Sequence, residues 1–158
     1  MRVFFSTVVR GAPVQQAGEI VQLDWERKVV TARAKIYPTN PELDDPNPRG
    51  NTRGGRGIAL FNKHILVCSY HTVCLYDPAL TPIRDISNSL MVGLHEIYHP
   101  ENSDRLWVTA TAIDAVLEID IETGETTRQF WPRERAGFQN ELGLTPLEID
   151  KDADNRGR

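Results

Sequence analysis

Residues 54–132 read GGRGIALFNKHILVCSYHTVCLYDPALTPIRDISNSLMVGLHEIYHPENSDRLWVTATAIDAVLEIDIETGETTRQFWP, and this stretch decides the fold. It divides into two copies of one unit. In the first, GGRGIALFN (54–62) leads to HILVCSYH (64–71), TVCLYDP (72–78) and TPIRDISN (81–88). In the second, VGLHEIYHP (92–100) leads to RLWVTATAID (105–114), AVLEIDIE (115–122) and GETTRQFWP (124–132). Gly57-Ile58 and Gly93-Leu94 open the copies 36 residues apart, and Tyr76-Asp77 and Ile119-Asp120 close their third segments 43 apart. Each segment is short, apolar or alternating, and bounded by Gly, Pro, Asn or Asp, which reads as a strand rather than a helix. Repeats of this length, each holding four antiparallel strands, belong to radially stacked sheets.

Upstream, residues 2–9 form a strand-like run, EIVQLDWE (19–26) alternates, and VVTARAKIY (29–37) follows a turn at Glu26-Arg27. These three match the last three strands of the later units, with Leu23-Asp24 in the place of Tyr76-Asp77. The opening unit (2–37) therefore lacks its first strand. Residues 38–56 are a polar excursion with Pro38, Pro41, Pro46 and Pro48 among Glu42, Asp44, Asp45 and Asn47, too polar to order itself and placed where two units join. The complete units span 57–88 and 93–132. In the extension 133–158, RERAGFQNEL reads as a helical turn or an ordered loop. Residues 143–150 (GLTPLEID) echo the Gly-Leu opening of a first strand, although Pro146 has no N–H to give to a fully bonded inner strand. The charged tail after Lys151 is expected to be mobile.

A chain of 158 residues is a single domain by size. Its 22 acidic and 18 basic residues leave a formal charge of −4, so no overall field draws nucleic acid or anionic lipid. No apolar run approaches the ~20 residues that span a bilayer, and the opening MRVFFSTVV is interrupted too early by Arg10 to be a leader. The reading is a cytoplasmic chain without nucleic-acid or membrane partners. Cys68 and Cys74 lie in adjacent strands joined by Tyr70-His71-Thr72; a cross-strand disulfide is weighed against two free buried thiols, the commoner state inside cells. Without a CxxC spacing there is no basis for a zinc knuckle or redox pair.

The Gly-Ile/Gly-Leu openings, the Ile-Leu-Val and Leu-Trp-Val second strands, and the Tyr-Asp and Ile-Asp ends of the third strands resemble the six-bladed β-propellers, the NHL-like and gluconolactonase-like group, over residues 54–132. The resemblance implies an all-β fold of about half a propeller: two complete four-stranded blades and one incomplete blade. An arc of this kind exposes the sheet faces of its end blades. A second copy joining head to tail as a homodimer closes a six-bladed ring, with residues 143–150 of the neighbour supplying the absent strand. A different partner chain or the missing half of a longer gene product supplying the remaining blades, or collapse into a non-propeller stack, are the alternatives.

Candidate chemistry concentrates at the channel mouth. His95 and Glu96 open an innermost strand, where Glu96 can orient the imidazole for ligand binding or general-base work. HEIYH is not a zinc-binding HExxH, because a strand lacks the helical geometry. Arg49, Arg53 and Arg56 form a basic cluster that reads as a solvated loop or as a grip on an anionic ligand. Asp114 is a further catalytic candidate. Glu96, Asp114, Asn62 and Asn88 are the oxygen donors from which a calcium (or zinc) site would have to be drawn, fewer than a hard cation wants. Asp24, Asp77 and Asp120 recur at strand ends and are read as turn caps. The aromatic residues Trp25, Trp107, Trp131, Phe4, Phe61, Tyr76, Tyr98 and Phe130 are read as packing between blades. No nucleophile elbow, Walker loop or dinucleotide fingerprint is present, and Gly54-Gly55-Arg56-Gly57 lacks a phosphate-loop lysine. The favoured function is a non-enzymatic oligomeric binding or assembly module for a small molecule or peptide. A metal-assisted hydrolase or lactonase and a structural component of a larger assembly are the alternatives.

Overall fold

The computed structural model describes residues 1–9, 12, 16, 18–36 and 54–158. They form three antiparallel sheets. The first is β1 (Arg2–Ser6), β2 (Glu19–Asp24) and β3 (Val29–Lys35), in that order. The second is β4 (Ile58–Phe61), β5 (His64–Cys68), β6 (Val73–Tyr76) and β7 (Pro82–Ile86). The third is β8 (Leu94–Tyr98), β9 (Arg105–Ala110), β10 (Ala115–Asp120) and β11 (Thr126–Phe130). Each is a meander, and β1, β2 and β3 occupy the positions of β5, β6 and β7, so among the described residues the first blade has no innermost strand. A 3₁₀ turn at Pro132–Glu134 leads into the short helix α1 (Ala136–Leu142), which ends on Gly143 in the left-handed region.

The repeat is visible in backbone detail. In every sheet the pairing of the last two strands shifts by one residue at the same place: between Gln22 and Leu23, Leu75 and Tyr76, and Glu118 and Ile119. A bulge there twists the outer strand. The Asp that follows then closes the turn. Asp24 Oδ1 accepts from the N–H groups of Glu26 and Arg27, Asp77 Oδ1 from those of Ala79 and Thr81, and Asp120 Oδ1 from those of Glu122 and Thr123. The repeated aspartates are therefore turn caps.

Burial differs between the blades in a way that fixes their order. In β5, Ile65, Leu66, Val67 and Cys68 are all buried, to 1 % exposure or less. Leu66 and Cys68 pack with the third blade, Ile65 and Val67 with the first. In β9 only Leu106, Val108 and Ala110 are buried, while Arg105, Trp107 and Thr109 alternate outward. A continuous apolar strand between alternating ones is the signature of a sheet covered on both faces flanked by sheets covered on one. Each fully buried Leu, Ile or Val contributes about 1.5–3 kcal/mol, so these two seams hold the three blades together.

Two expectations need correction. Tyr76 and Trp131 are buried, but Trp25, Tyr98 and Phe130 are among the exposed large side chains. Tyr98 and Phe130 stand on the far face of the last blade, beside Trp107 and Val116, and Trp25 follows β2 with the Lys28 ammonium 3.2 Å from its ring centroid. The tail is docked rather than loose. Asn155 is 4 % exposed, its N–H donates to Ser89 O at 2.8 Å, and Tyr70 Oη donates to Arg158 O. Arg156 holds the Asp154 carboxyl down to about 2 through a paired contact. Residues 143–150 pair with no strand among the described residues.

Candidate functional site

The innermost strands β4 and β8 place the mouth residues. β8 carries one residue too many: Leu94 pairs with Ala110 but Ile97 with Val108, so three steps along β8 match two along β9. The bulge turns both His95 and Glu96 to solvent, which adjacent residues of a regular strand cannot do. Thr109 fixes it, its Oγ1 accepting the Glu96 N–H at 2.9 Å. On the other side Gly57 N–H donates to His95 O at 2.9 Å. A Cβ on Gly57 would stand 2.7 Å from Ile97 N and 3.0 Å from Glu96 Cα, so the absent side chain is what permits this approach.

Arg56 connects the same point to the first blade. Its N–H donates to Cys68 O at 2.8 Å, and Ser6 Oγ donates to the carbonyls of Gly55 and Arg56, each at 2.9 Å. His95 Nδ1 lies 3.2 Å from Glu96 Oε1, with the two side chains 53 % and 71 % exposed. The structure thus brings His95, Glu96 and the backbone of Arg56 to one point where all three blades meet. Arg49 and Arg53 fall outside the described residues.

The other candidates are elsewhere, and Asp114 and Asn88 are occupied. Asp114, at a positive φ in the β9–β10 turn, is paired with Arg133. Asn88 Nδ2 donates to Gly124 O and Thr126 Oγ1 and its Oδ1 caps Leu90, which ties the blade connector to the next hairpin. Asn62 is in the β4–β5 turn with φ 45°. Among the described residues no group of three or more His, Cys, Asp or Glu is placed to hold a metal ion. His99 turns into its own hairpin, 2.7 Å from Ser103 O and edge-on to Phe61. The thiol of Cys68 donates to the His95 carbonyl, and burial pushes it up to about 12. A protonated thiol aimed at a carbonyl is no nucleophile.

No protein-family profile and no curated protein matches the sequence. Solved structures do. The Neurospora crassa Pan2 WD40 domain superposes at a TM-score of 0.55 with 15 % identity, over 80 % of this chain and 33 % of that one. U3-55K does so at 0.53 with 9 % identity, over 80 % and 38 %. The glutaminyl cyclase of Myxococcus xanthus gives 0.45 with 12 % identity over 80 % and 52 %. What the chain shares with the first two is the β-propeller fold. It spans about a third of the first two, and at these identities the likeness extends to architecture alone. The narrower NHL-like or gluconolactonase-like grouping finds no support in them.

Two features escaped the sequence reading. One is the anchoring of the mouth by Thr109, which only the bulge register reveals. The other is a cleft of about 590 Å³ between the first two blades, lined by Arg2, Phe4, Leu60, Lys63, Ile65 and Pro78. The missing strand of the opening unit was the available signal for it.

Proposed function

We propose that this chain is a non-enzymatic assembly module of propeller type, whose ring is closed by a second copy and whose mouth binds a polar ligand. The observation that carries the reading is the asymmetry of burial: β5 is covered on both faces, whereas the first and last blades are covered on one. The outer face of the first blade carries the exposed Phe5 and Val30, and that of the last carries the exposed Tyr98, with Phe130 beside it packed edge-on against Phe138 of α1. Two copies joined head to tail bury each of these against the other and leave no end. At the mouth, His95 and Glu96 offer an imidazole and a carboxylate to a small molecule or peptide. Sedimentation of the purified chain tests the ring: the expected mass is that of two copies, and a chain that stays single at micromolar concentration removes the reading.

A further inference from the structure

We infer that the cleft between the first two blades takes residues 143–150 of a second copy as the missing innermost strand, and that the docked tail holds that segment back. The inference rests on the ring reading and names the contact that locks the ring. Among the described residues β1 pairs with β2 on one edge and with no strand on the other. Beside that free edge lies the 590 Å³ cleft, and the residues around it look unfinished. Leu60 on β4 points toward the first blade and is 59 % exposed, where an inner strand would cover it. Arg2 and Lys63 line the same cleft, and among the described residues neither side chain is ion-paired.

The occupant follows from chain order and charge. After each outermost strand the chain passes to the innermost strand of the next blade, as β7 does to β8. The segment after β11 is 143–150, and in a two-copy ring the next blade is the partner's first, the one without an inner strand. From Ala136 to Asp150 the chain has Glu141, Glu148 and Asp150 and no Lys or Arg, which complements the two cations. Aligning Gly143-Leu144 with Gly57-Ile58, and β1 with β5, sets Leu147 opposite Arg2 and Glu148 beside it. Leu147, 41 % exposed in the lone chain, then covers Leu60 and Phe4.

This register also removes the objection to Pro146. Phe61 and His64 flank the two-residue turn Asn62-Lys63, so they form a hydrogen-bonded pair and bonded pairs alternate from there. Leu60 falls on a non-bonded position whose N–H faces the channel. Pro146 takes the equivalent place and gives up no ladder bond.

The tail opposes the exchange. The blade connector and the β5–β6 turn share one rim, where Leu94 N–H donates to Tyr70 O, and the tail docks there through Ser89 and Tyr70. An inner strand runs away from that rim, as β4 and β8 do. Asp150, whose carbonyl accepts from Asn155 Nδ2, is then carried to the far rim, and Asn155 leaves Ser89.

Sedimentation of the full-length chain and its variants tests this. The double variant Arg2→Glu, Lys63→Glu and the single variant Glu148→Lys are each expected to weaken self-association about tenfold, equivalent to ~1.4 kcal/mol, and the triple variant to recover most of it. Asn155→Ala frees the tail and is expected to tighten association. All the charge-reversal sites are exposed, so the fold does not depend on them. A dimer indifferent to both reversals overturns the strand assignment and leaves the ring reading standing. Weakening without recovery in the triple variant, or looser association of Asn155→Ala, also overturns it. A wild-type chain that remains single removes both.

Discussion

Cys68 and Cys74 sit on opposite faces of the middle blade. Cys68 pairs with Val73 and Cys74 with Val67, so the two positions are out of step by one residue. Because strand side chains alternate, Cys68 joins the seam with the third blade and Cys74 the seam with the first. The sheet lies between their sulfurs, and both are free. Burial pushes the Cys68 thiol up to about 12 and the Cys74 thiol well above its ordinary value. A thiol-reactive dye at neutral pH should label neither in the folded chain and both in denaturant. In the unfolded chain each thiol ionises near 9.0, so stability should be full below that pH and decline as pH rises from it toward the folded values. Rapid labelling of the native chain would show that the two seams are not closed.

The aspartate caps set the acid side of the same curve. Asp77 is held below 3.8 chiefly by the Thr81 N–H, and Asp120 chiefly by the Thr123 N–H with help from Arg105. The folded chain therefore binds fewer protons at these carboxyls than the unfolded one. Their contribution is complete above the unfolded value and is lost as pH falls through the lower folded ones. Asp77→Ala and Asp120→Ala should each lower the urea midpoint at neutral pH and flatten its decline on acidification. Equal pH slopes in variant and wild type would remove the capping role.

The residue pattern made the strands legible because each is bounded by its own punctuation: Asn62-Lys63, Asp77-Pro78, Thr123-Gly124. The missing strand could be read by aligning Leu23-Asp24 with Tyr76-Asp77 and Ile119-Asp120, since the bulge and its following cap recur with the repeat. What stayed hidden depends on register. His95 and Glu96 look like alternating neighbours until the pairing with β9 shows the extra residue. Trp25, Tyr98 and Phe130 are aromatic whichever face they take, and nothing local distinguishes a seam from a blade end. The tail read as mobile from its charge, yet the buried contact is made by Asn155, whose amide side chain satisfies the carbonyls of Asp150 and Ala153.

Gly57 tests whether the mouth is held by close backbone approach. Gly57→Ala places a methyl against Ile97 N and Glu96 Cα, both backbone atoms of β8 that cannot rotate away. The strands must separate, loosening the Gly57–His95 hydrogen bond and the bulge it supports. A loss of about 1–3 kcal/mol is expected, the range for overpacking in a filled site. Amide exchange should speed first at His95 and Glu96. Unchanged stability and exchange would mean that β8 is free to shift and that the bulge is not fixed from this side.

The two kinds of apolar surface should respond differently to substitution. Leu66 is fully buried in the seam between the second and third blades, so Leu66→Ala should lower the unfolding free energy by about 2–5 kcal/mol at any protein concentration. Phe5 and Tyr98, 41 % and 64 % exposed, lie on the uncovered faces of the first and last blades. In a lone chain Phe5→Asp and Tyr98→Asp would change stability within the ±0.5 kcal/mol usual for surface sites. In a closed ring the same substitutions bury a carboxylate against apolar neighbours, which dissociates the copies and leaves each blade folded. Sedimentation alongside urea melts at two protein concentrations separates these cases. The ring requires Phe5→Asp and Tyr98→Asp to lower the mass while Leu66→Ala lowers the midpoint, and a mass untouched by either aspartate places the contact between copies elsewhere.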